Sequence, residues 1–281
     1  MAALDAAAGR VFLAAPLSRD DLERDHGARM VRENVVRWDP REQAVLARRR
    51  TRLDALVLDD APLSPDDCPE DDLRAAVLPA VLEGIRGLGL GCLPWTGELR
   101  QWQARVLFMR GLEPERGWPD VSDAALLDGL EEWLAPWLGG ISRRSQFDRL
   151  ELGRALNALL PHALIRRLAE QAPARLPLPS GSSAAVDYSP EGGPALAVKL
   201  QEMFGQTQTP RIAGGRTPLT LHLLSTAGRP RQVTRDLAGF WRDGYPAVRA
   251  EMRGRYPRHP WPDDPLSARP TGKTKKRLEN S

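Results

Sequence analysis

The spacing of apolar residues changes twice along the chain, and this limits the possible folds more than any single motif does. Residues 10–58 contain short extended runs, whereas apolar residues recur at helical spacing from Leu73 to about Pro173. Strands return after that, and the leucines at 219, 221 and 223 alternate along one of them. Separate blocks of strands and helices predict an α+β fold. No unit of about 20 to 50 residues is repeated along the chain.

The N-terminal block is predicted to be a β-meander. Residues 10–17, 30–38 and 44–58 are extended runs, and Asp39-Pro40-Arg41 is a turn signal between the last two. A meander of this size is half of a small barrel, so we expect residues 1–63 to be a partial β-barrel. The first strand begins almost directly after Met1, which suggests a piece of a longer protein.

A helical block is predicted for residues 64–175. It begins in an acidic, proline-broken linker at 59–72, which lacks the spaced Asp, Asn and Glu pattern of a calcium loop. Thr96 and Ser122 are placed to cap helices, and Pro161 is placed in the first turn of another. Tryptophans among the leucines of this block are expected in the core rather than stacked on bases.

The C-terminal block is predicted to be a mixed domain of strands and helices over residues 176–265. The strand at 219–224 is followed by a turn at 227–230 and a short helix that carries Trp241. Residues 266–281 form a proline-rich, basic segment, which we expect to be a flexible tail.

Several classes of protein are excluded by composition and motifs. No apolar run approaches the ~20 residues of a membrane helix, and the two cysteines are too few for a disulfide scaffold or a four-ligand zinc site. The segment Thr271-Gly272-Lys273-Thr274 is not a phosphate loop, because Ser267 stands where that motif needs a glycine. We therefore expect a soluble, cytoplasmic protein with no membrane partner, no metal site and no catalytic site in this chain.

Charge is distributed unevenly along the chain. Residues 211–281 contain 15 basic and 6 acidic residues, a net charge of +9, whereas residues 1–210 have a net charge of −6. A basic C-terminal third indicates a polyanionic partner, because arginine and lysine gain free energy by releasing counterions from phosphates.

Candidate contacts to single-stranded RNA or DNA follow from this distribution. Loop arginines could bind phosphates, and a neighbouring tryptophan could stack on a base. A solvated face that only keeps the protein soluble is an equally good interpretation. The candidates are Arg211, Arg216, Arg229, Arg231, Arg235, Trp241, Lys273, Lys275, Lys276 and Arg277.

Four long runs of the C-terminal block have a recognisable pattern. They are PALAVKLQEMFG at 194–205, PRIAGGR at 210–216, GRPRQVTRDLAGFW at 228–241 and RGRYPRHPWPDDP at 253–265. These runs, with the tail at 271–277, resemble the C-terminal region of HrpB-type ATP-dependent RNA helicases, a DEAH-box family. Residues 10–17 and 48–63 are similar to the end of the oligonucleotide-binding-type barrel that follows the motor domains in this family.

The resemblance implies an accessory part of a helicase: barrel remnant, helical connector and family-specific C-terminal domain. The intact family protein uses ATP and Mg²⁺, but its phosphate loop and DEAH box have no counterpart in this sequence. We therefore expect no cofactor here and no ATP hydrolysis by this chain alone. Two functions stay open, namely holding a single strand of nucleic acid, and docking on the helicase motor domains or another acidic partner.

Overall fold

The computed structural model describes the backbone of residues 3–5, 10–13, 16–63 and 70–272, and the side chains of 16–63, 73 and 75–272. The chain forms two compact units. The first contains Met1–Pro94 and Leu130–Leu150, and the second contains Trp95–Gly129 and Glu151–Ser281. Each unit thus contains part of the predicted helical block, and the predicted boundaries at 63, 175 and 265 stay predictions.

The strands of the first unit are antiparallel. The predicted run at 44–58 is two strands, because the chain turns at Asp54, which has a positive φ of 50°. The described strands do not close into a barrel, so the oligonucleotide-binding label stays a prediction. The elements are β1 (Ala3–Asp5) paired with β2 (Arg10–Leu13), helix α1 (Arg19–His26), and the meander β3 (Met30–Asp39), β4 (Ala44–Leu53) and β5 (Leu56–Pro62).

The predicted acidic linker begins later than expected. Asp59 and Asp60 lie in β5, where Asp60 accepts a hydrogen bond from Arg48 Nε at 2.7 Å and another from Arg50 Nη2 at 3.2 Å. These cross-strand ion pairs explain why Asp60 extends the sheet instead of leaving it.

The core of the first unit lies between the meander and helix α2 (Glu70–Leu88). Trp38 stacks on Phe147 with ring centroids 6.2 Å apart. Gly84 in α2 faces the Trp38 ring so closely that an added Cβ atom would overlap it. The predicted apolar stripe of this helix is confirmed, since Val81 and Ile85 are fully buried. The short helix α5 (Leu130–Trp133) also belongs to this unit.

Two helices of the second unit begin at the predicted cap residues. Thr96 Oγ1 accepts a hydrogen bond from the Leu99 amide, and Ser122 Oγ accepts one from the Ala125 amide, so both caps are confirmed. The helix that Ser122 caps is short and ends before Gly129. The helices are α3 (Gly97–Leu112), α4 (Asp123–Asp128), α6 (Leu152–Ala158) and α7 (His162–Gln171).

A five-stranded sheet organises the rest of the second unit. Its strand order is β12-β11-β8-β7-β6, with β11 parallel to β8 and the other pairs antiparallel. A π-helical turn at Phe240–Gly244 separates the last two helices. The elements are β6 (Arg175–Pro177), β7 (Ser183–Asp187), β8 (Ala195–Lys199), β9 (Arg211–Ile212), β10 (Thr217–Pro218), β11 (Thr220–Leu224), β12 (Pro230–Thr234), α8 (Leu237–Gly239) and α9 (Tyr245–Arg255).

The two faces of this sheet differ in exposure. Leu196, Val198, Leu221 and Leu223 point to one face and are almost fully buried there, which confirms the alternation predicted for the strand at 219–224. Their neighbours along β8 and β11 point to the other face. No helix in the described ranges is long and apolar enough to span a lipid bilayer.

Candidate nucleic-acid interface

The turn between β11 and β12 presents Arg229 to solvent. Ser225, which is fully buried, anchors this turn: its amide donates to the Arg229 carbonyl at 2.8 Å, and its Oγ accepts from the Arg229 amide at 3.2 Å. Gly228 takes the positive φ of 76° that the turn requires. The Arg229 guanidinium forms no hydrogen bond or ion pair with another residue of the described ranges. It is therefore available for an external anion.

Arg235 is also exposed, and a single hydrogen bond orients it. Its Nε donates to Thr220 Oγ1 at 2.9 Å, which places the guanidinium over the end of β11. Its Nη2 lies beside Gly192 and Gly193, since a Cβ atom added to either glycine would lie 3.8 or 3.6 Å from it. Four of its five N–H donors thus remain for a ligand.

Arg231 is less accessible than the sequence suggests. Its side chain is 18% exposed and forms an ion pair with Glu251 of α9 at 3.0 Å. A phosphate would have to displace this carboxylate. Arg231 therefore connects β12 to α9 and is a weaker candidate than Arg229.

Arg211 and Arg216 flank a tight turn between β9 and β10. Ala213, Gly214 and Gly215 all have positive φ angles, and Ala213 adopts this conformation although it carries a Cβ atom. Arg211 Nε donates to the Gly215 carbonyl at 2.5 Å, and Arg216 Nε donates to the Ala213 carbonyl at 2.8 Å. Both arginines are thus used in part to close the turn.

The turn delivers Arg216 to a carboxylate that the sequence analysis did not single out. Glu113, at the end of α3, has a side chain only 2% exposed, and Arg216 Nη2 donates to its Oε1 at 2.5 Å. Arg167 of α7 forms a bidentate pair with the same carboxylate, at 2.6 and 2.5 Å. These hydrogen bonds, first that of Arg167 and then that of Arg216, lower the pKa of Glu113 from 4.5 to about 2.

The prediction that Arg216 contacts phosphate stays a prediction, but its guanidinium already has the Glu113 carboxylate as a partner. Its guanidinium is bound within the protein, and losing it would leave a buried charge partly unpaired. We define Glu113, Arg167 and Arg216 as the Glu113 cluster. Its role is structural, because it ties α3, α7 and the β9–β10 turn together.

Trp241 is not placed to stack on a base. It is 6% exposed, its Nε1 donates to the Gln206 carbonyl at 2.8 Å, and its ring packs against Phe204, Phe240 and Tyr245. A nucleotide could reach this ring only if the core opened. Its position beside apolar residues reflects burial, as it does for Trp102, Trp118 and Trp133 of the helical block.

Some of the predicted residues thus lie at the surface with free donors, whereas others are buried or form ion pairs within the protein. Arg229 and Arg235 are exposed with free donors, and Arg211 keeps part of its guanidinium in solvent. The four tail residues Lys273, Lys275, Lys276 and Arg277 lie outside the described residues. Within residues 16–63 and 70–272, no three His, Cys, Asp or Glu side chains group to hold a metal ion.

Comparison with known protein families identifies two matching regions. Residues 133–265 match the family described as ATP-dependent helicase C-terminal, HrpB_C. Residues 29–63 match the connector region of the ATP-dependent RNA helicase HrpB. The chain is also 41% identical over 267 residues to the ATP-dependent RNA helicase HrpB of Escherichia coli (strain K12), which covers 95% of this chain and 32% of that relative.

Two solved structures show the same similarity. The crystal structure of the E. coli DExH-box NTPase HrpB matches with a TM-score of 0.71 and 39% identity, covering 98% of this chain and 33% of that one. The crystal structure of the Escherichia coli DEAH/RHA helicase HrpB matches with a TM-score of 0.61 and 40% identity, covering 83% and 29%. The chain spans about a third of the length of these relatives. It therefore belongs to the HrpB family of ATP-dependent helicases and corresponds to the C-terminal part of such a protein.

Proposed function

We propose that this chain holds single-stranded RNA or DNA through backbone phosphates, as an accessory part of an ATP-dependent RNA helicase. The observation that carries the proposal is the exposed Arg229 guanidinium, which is unpaired within the described residues and lies in a region of net charge +9. Arginine forks suit phosphate oxygens, and their binding releases counterions.

The proposed function includes no binding or hydrolysis of ATP by this chain. The sequence has neither a phosphate loop nor a DEAH box, so none of its residues is assigned to ATP or Mg²⁺. The role of the chain is to keep hold of a strand while hydrolysis takes place elsewhere in the whole helicase. Its contacts would be independent of base sequence, because phosphate contacts position a strand without reading it.

A charge reversal tests the proposal. Arg229→Glu should weaken binding of a fluorescein-labelled oligouridine several-fold and reduce the slope of log affinity against log salt by about 0.7, the share of one contact to a single strand. Arg166→Glu, a change at an exposed arginine of α7, is the matched control. Equal affinities and slopes for wild type and Arg229→Glu would remove Arg229 from the interface.

Docking on a protein partner is the second candidate function, and a groove in the first unit favours it. The groove has a volume of about 760 Å³ and is mostly apolar, with Leu73, Val77, Leu78, Pro136 and Ile141 among its lining residues. Apolar linings suit a protein side chain better than a phosphate. A separately produced helicase motor fragment, titrated against this chain by calorimetry, distinguishes the two functions: docking predicts binding that Leu78→Glu abolishes and Arg229→Glu does not.

A further inference from the structure

The five-stranded sheet of the second unit leaves the middle of one face exposed, whereas Ala195, on the same face next to Asp187, is buried. His222 on β11 is paired directly with Ala197 on β8 and with Val233 on β12, so the three side chains stand side by side on this face. The register of β7 against β8 extends the row to Ala185. Ala185 and Ala197 are exposed, Val233 is 54% exposed and His222 is partly exposed.

This row is flat because its members are short or planar. Alanine and valine do not project far from a sheet, and the imidazole of His222 is a planar ring. The row crosses four strands, which corresponds to about 14 Å at the usual spacing between strands. We define the open sheet face as Ala185, Ala197, His222 and Val233 together with the cations around them.

Three cations surround the row. Arg175 is paired with Ala185 across β6 and β7 and is exposed. Lys199 lies opposite Leu224 at the end of β8, and Arg235 is bonded to Thr220 at the other end of β11. Asp187 is the one acidic residue at a register position of this face, and Gln101 Nε2 and the Ser189 amide donate to its carboxylate at 2.7 and 2.9 Å. The margin of the face is thus net positive.

We propose that a single strand of nucleic acid lies on the open sheet face, with a base stacked on His222 and phosphates bound by Arg235, Lys199 and Arg175. This inference rests on the proposed function and names the surface that performs it. Unpaired bases are recognised by stacking on aromatic or histidine rings that a sheet presents, and His222 is the ring that this row offers. A duplex keeps its base faces covered, so it cannot use this row.

Charge complementarity favours a single strand of nucleic acid on the open sheet face over a protein. An apolar protein partner would leave the three cations unpaired at the margin of its interface, whereas a strand supplies a phosphate for each of them. The exposed alanines leave the space above the sheet empty, so a base can approach the imidazole without displacing a side chain. Arg229, at the end of the same β11–β12 hairpin, continues the cationic margin beyond the sheet.

The test places a negative charge in the middle of the face. Ala197→Glu should weaken oligouridine binding at least tenfold in an anisotropy titration of the full chain at fixed salt. His222→Ala should weaken it about fivefold, the effect of losing one stacked base. Ala163→Glu, the same substitution at an exposed position of α7, should stay within twofold of the wild type. Far-UV circular dichroism and thermal unfolding verify that each variant folds.

The outcomes separate this inference from the proposed function. Wild-type binding with a steep salt dependence, unchanged in both Ala197→Glu and His222→Ala, would place the strand elsewhere and overturn the inference alone. An absence of any binding by the wild type would overturn both. Tight binding of polyglutamate that Ala197→Glu abolishes, without binding of oligouridine, would assign the face to an acidic protein and also overturn the inference.

Discussion

The carboxylate of Glu113 and the guanidinium of Arg216 meet at 2.5 Å although 103 residues separate them along the chain. Arg167 binds both oxygens of this carboxylate, so three separate segments converge on one buried charge. Arg216, which the sequence predicts as a phosphate ligand, is in this way the partially exposed partner of a buried carboxylate. The exposed candidates, Arg229 and Arg235, are positioned on the same unit without such a partner carboxylate among the described residues.

Removing the charge of Glu113 should destabilise the protein. Glu113→Gln leaves Arg167 and Arg216, and Arg116 at 3.4 Å, without their common partner, and we expect the free energy of unfolding to fall by about 2 to 3 kcal/mol. The loss is at the lower end for a buried pair, because Arg167 and Arg216 are 28% and 43% exposed and can be partly hydrated. Urea unfolding measures it, with the exposed neighbour Glu115→Gln as control. Equal stability of Glu113→Gln and wild type would show that the cluster contributes nothing.

The contribution of Glu113 should depend on pH in a defined direction. Its pKa in the folded protein is about 2, below the ordinary 4.5, so the folded state favours the charged form. The stabilisation is complete above the unfolded pKa and is lost as the pH falls from about 4.5 towards 2. The difference in unfolding free energy between wild type and Glu113→Gln should be constant from pH 5 to 7 and shrink below that. A difference that grows on acidification would contradict the assigned pKa shift.

Two glycines of α2 should respond in opposite ways to the same substitution. Gly84→Ala puts a methyl group against the Trp38 ring and should destabilise the protein by about 1 to 3 kcal/mol through overpacking. Gly87→Ala meets no atom within 4 Å and should stabilise the helix by about 0.5 to 1 kcal/mol. Thermal unfolding of the two variants tests the packing of α2 on the meander. A stabilising Gly84→Ala would refute that packing.

Trp241 should matter for stability and not for binding. Trp241→Phe removes part of a buried aromatic cluster and the hydrogen bond to Gln206, so the midpoint of unfolding should fall. Its affinity for oligouridine should stay within twofold of the wild type. A tenfold loss of affinity with unchanged stability would return Trp241 to the interface.

The sequence predicts strands and helix caps well where they depend on residues that are close together in the chain. The strand at 219–224 and the caps at Thr96 and Ser122 depend on neighbouring residues, and the structure confirms them. The sequence predicts a linker at 59–60, because the partners of Asp60, namely Arg48 and Arg50, become visible only when β4 and β5 pair. A strand partner ten or more residues away overrides the local composition there.

The candidate site depends even more on partners that are distant in sequence. Charge density directs attention to the C-terminal third, but charge alone does not separate Arg216, which is bound to Glu113, from Arg229, which is exposed. Neither partner of Arg216 and Arg231 lies close to them in sequence, so no spacing rule identifies these ion pairs. The sequence predicts no functional role for His222, because the proposed role depends on its pairing with Ala197 and Val233, which lie on two other strands.

A salt titration tests whether this chain holds a single strand of nucleic acid through its phosphates. Anisotropy of a labelled 12-nucleotide oligouridine, measured with the full chain from low to moderate salt, should show micromolar or tighter binding. The plot of log affinity against log salt should have a slope of about −2 or steeper, which corresponds to at least three phosphate contacts on a single strand. No binding at low salt, or binding that does not change with salt, would contradict the account.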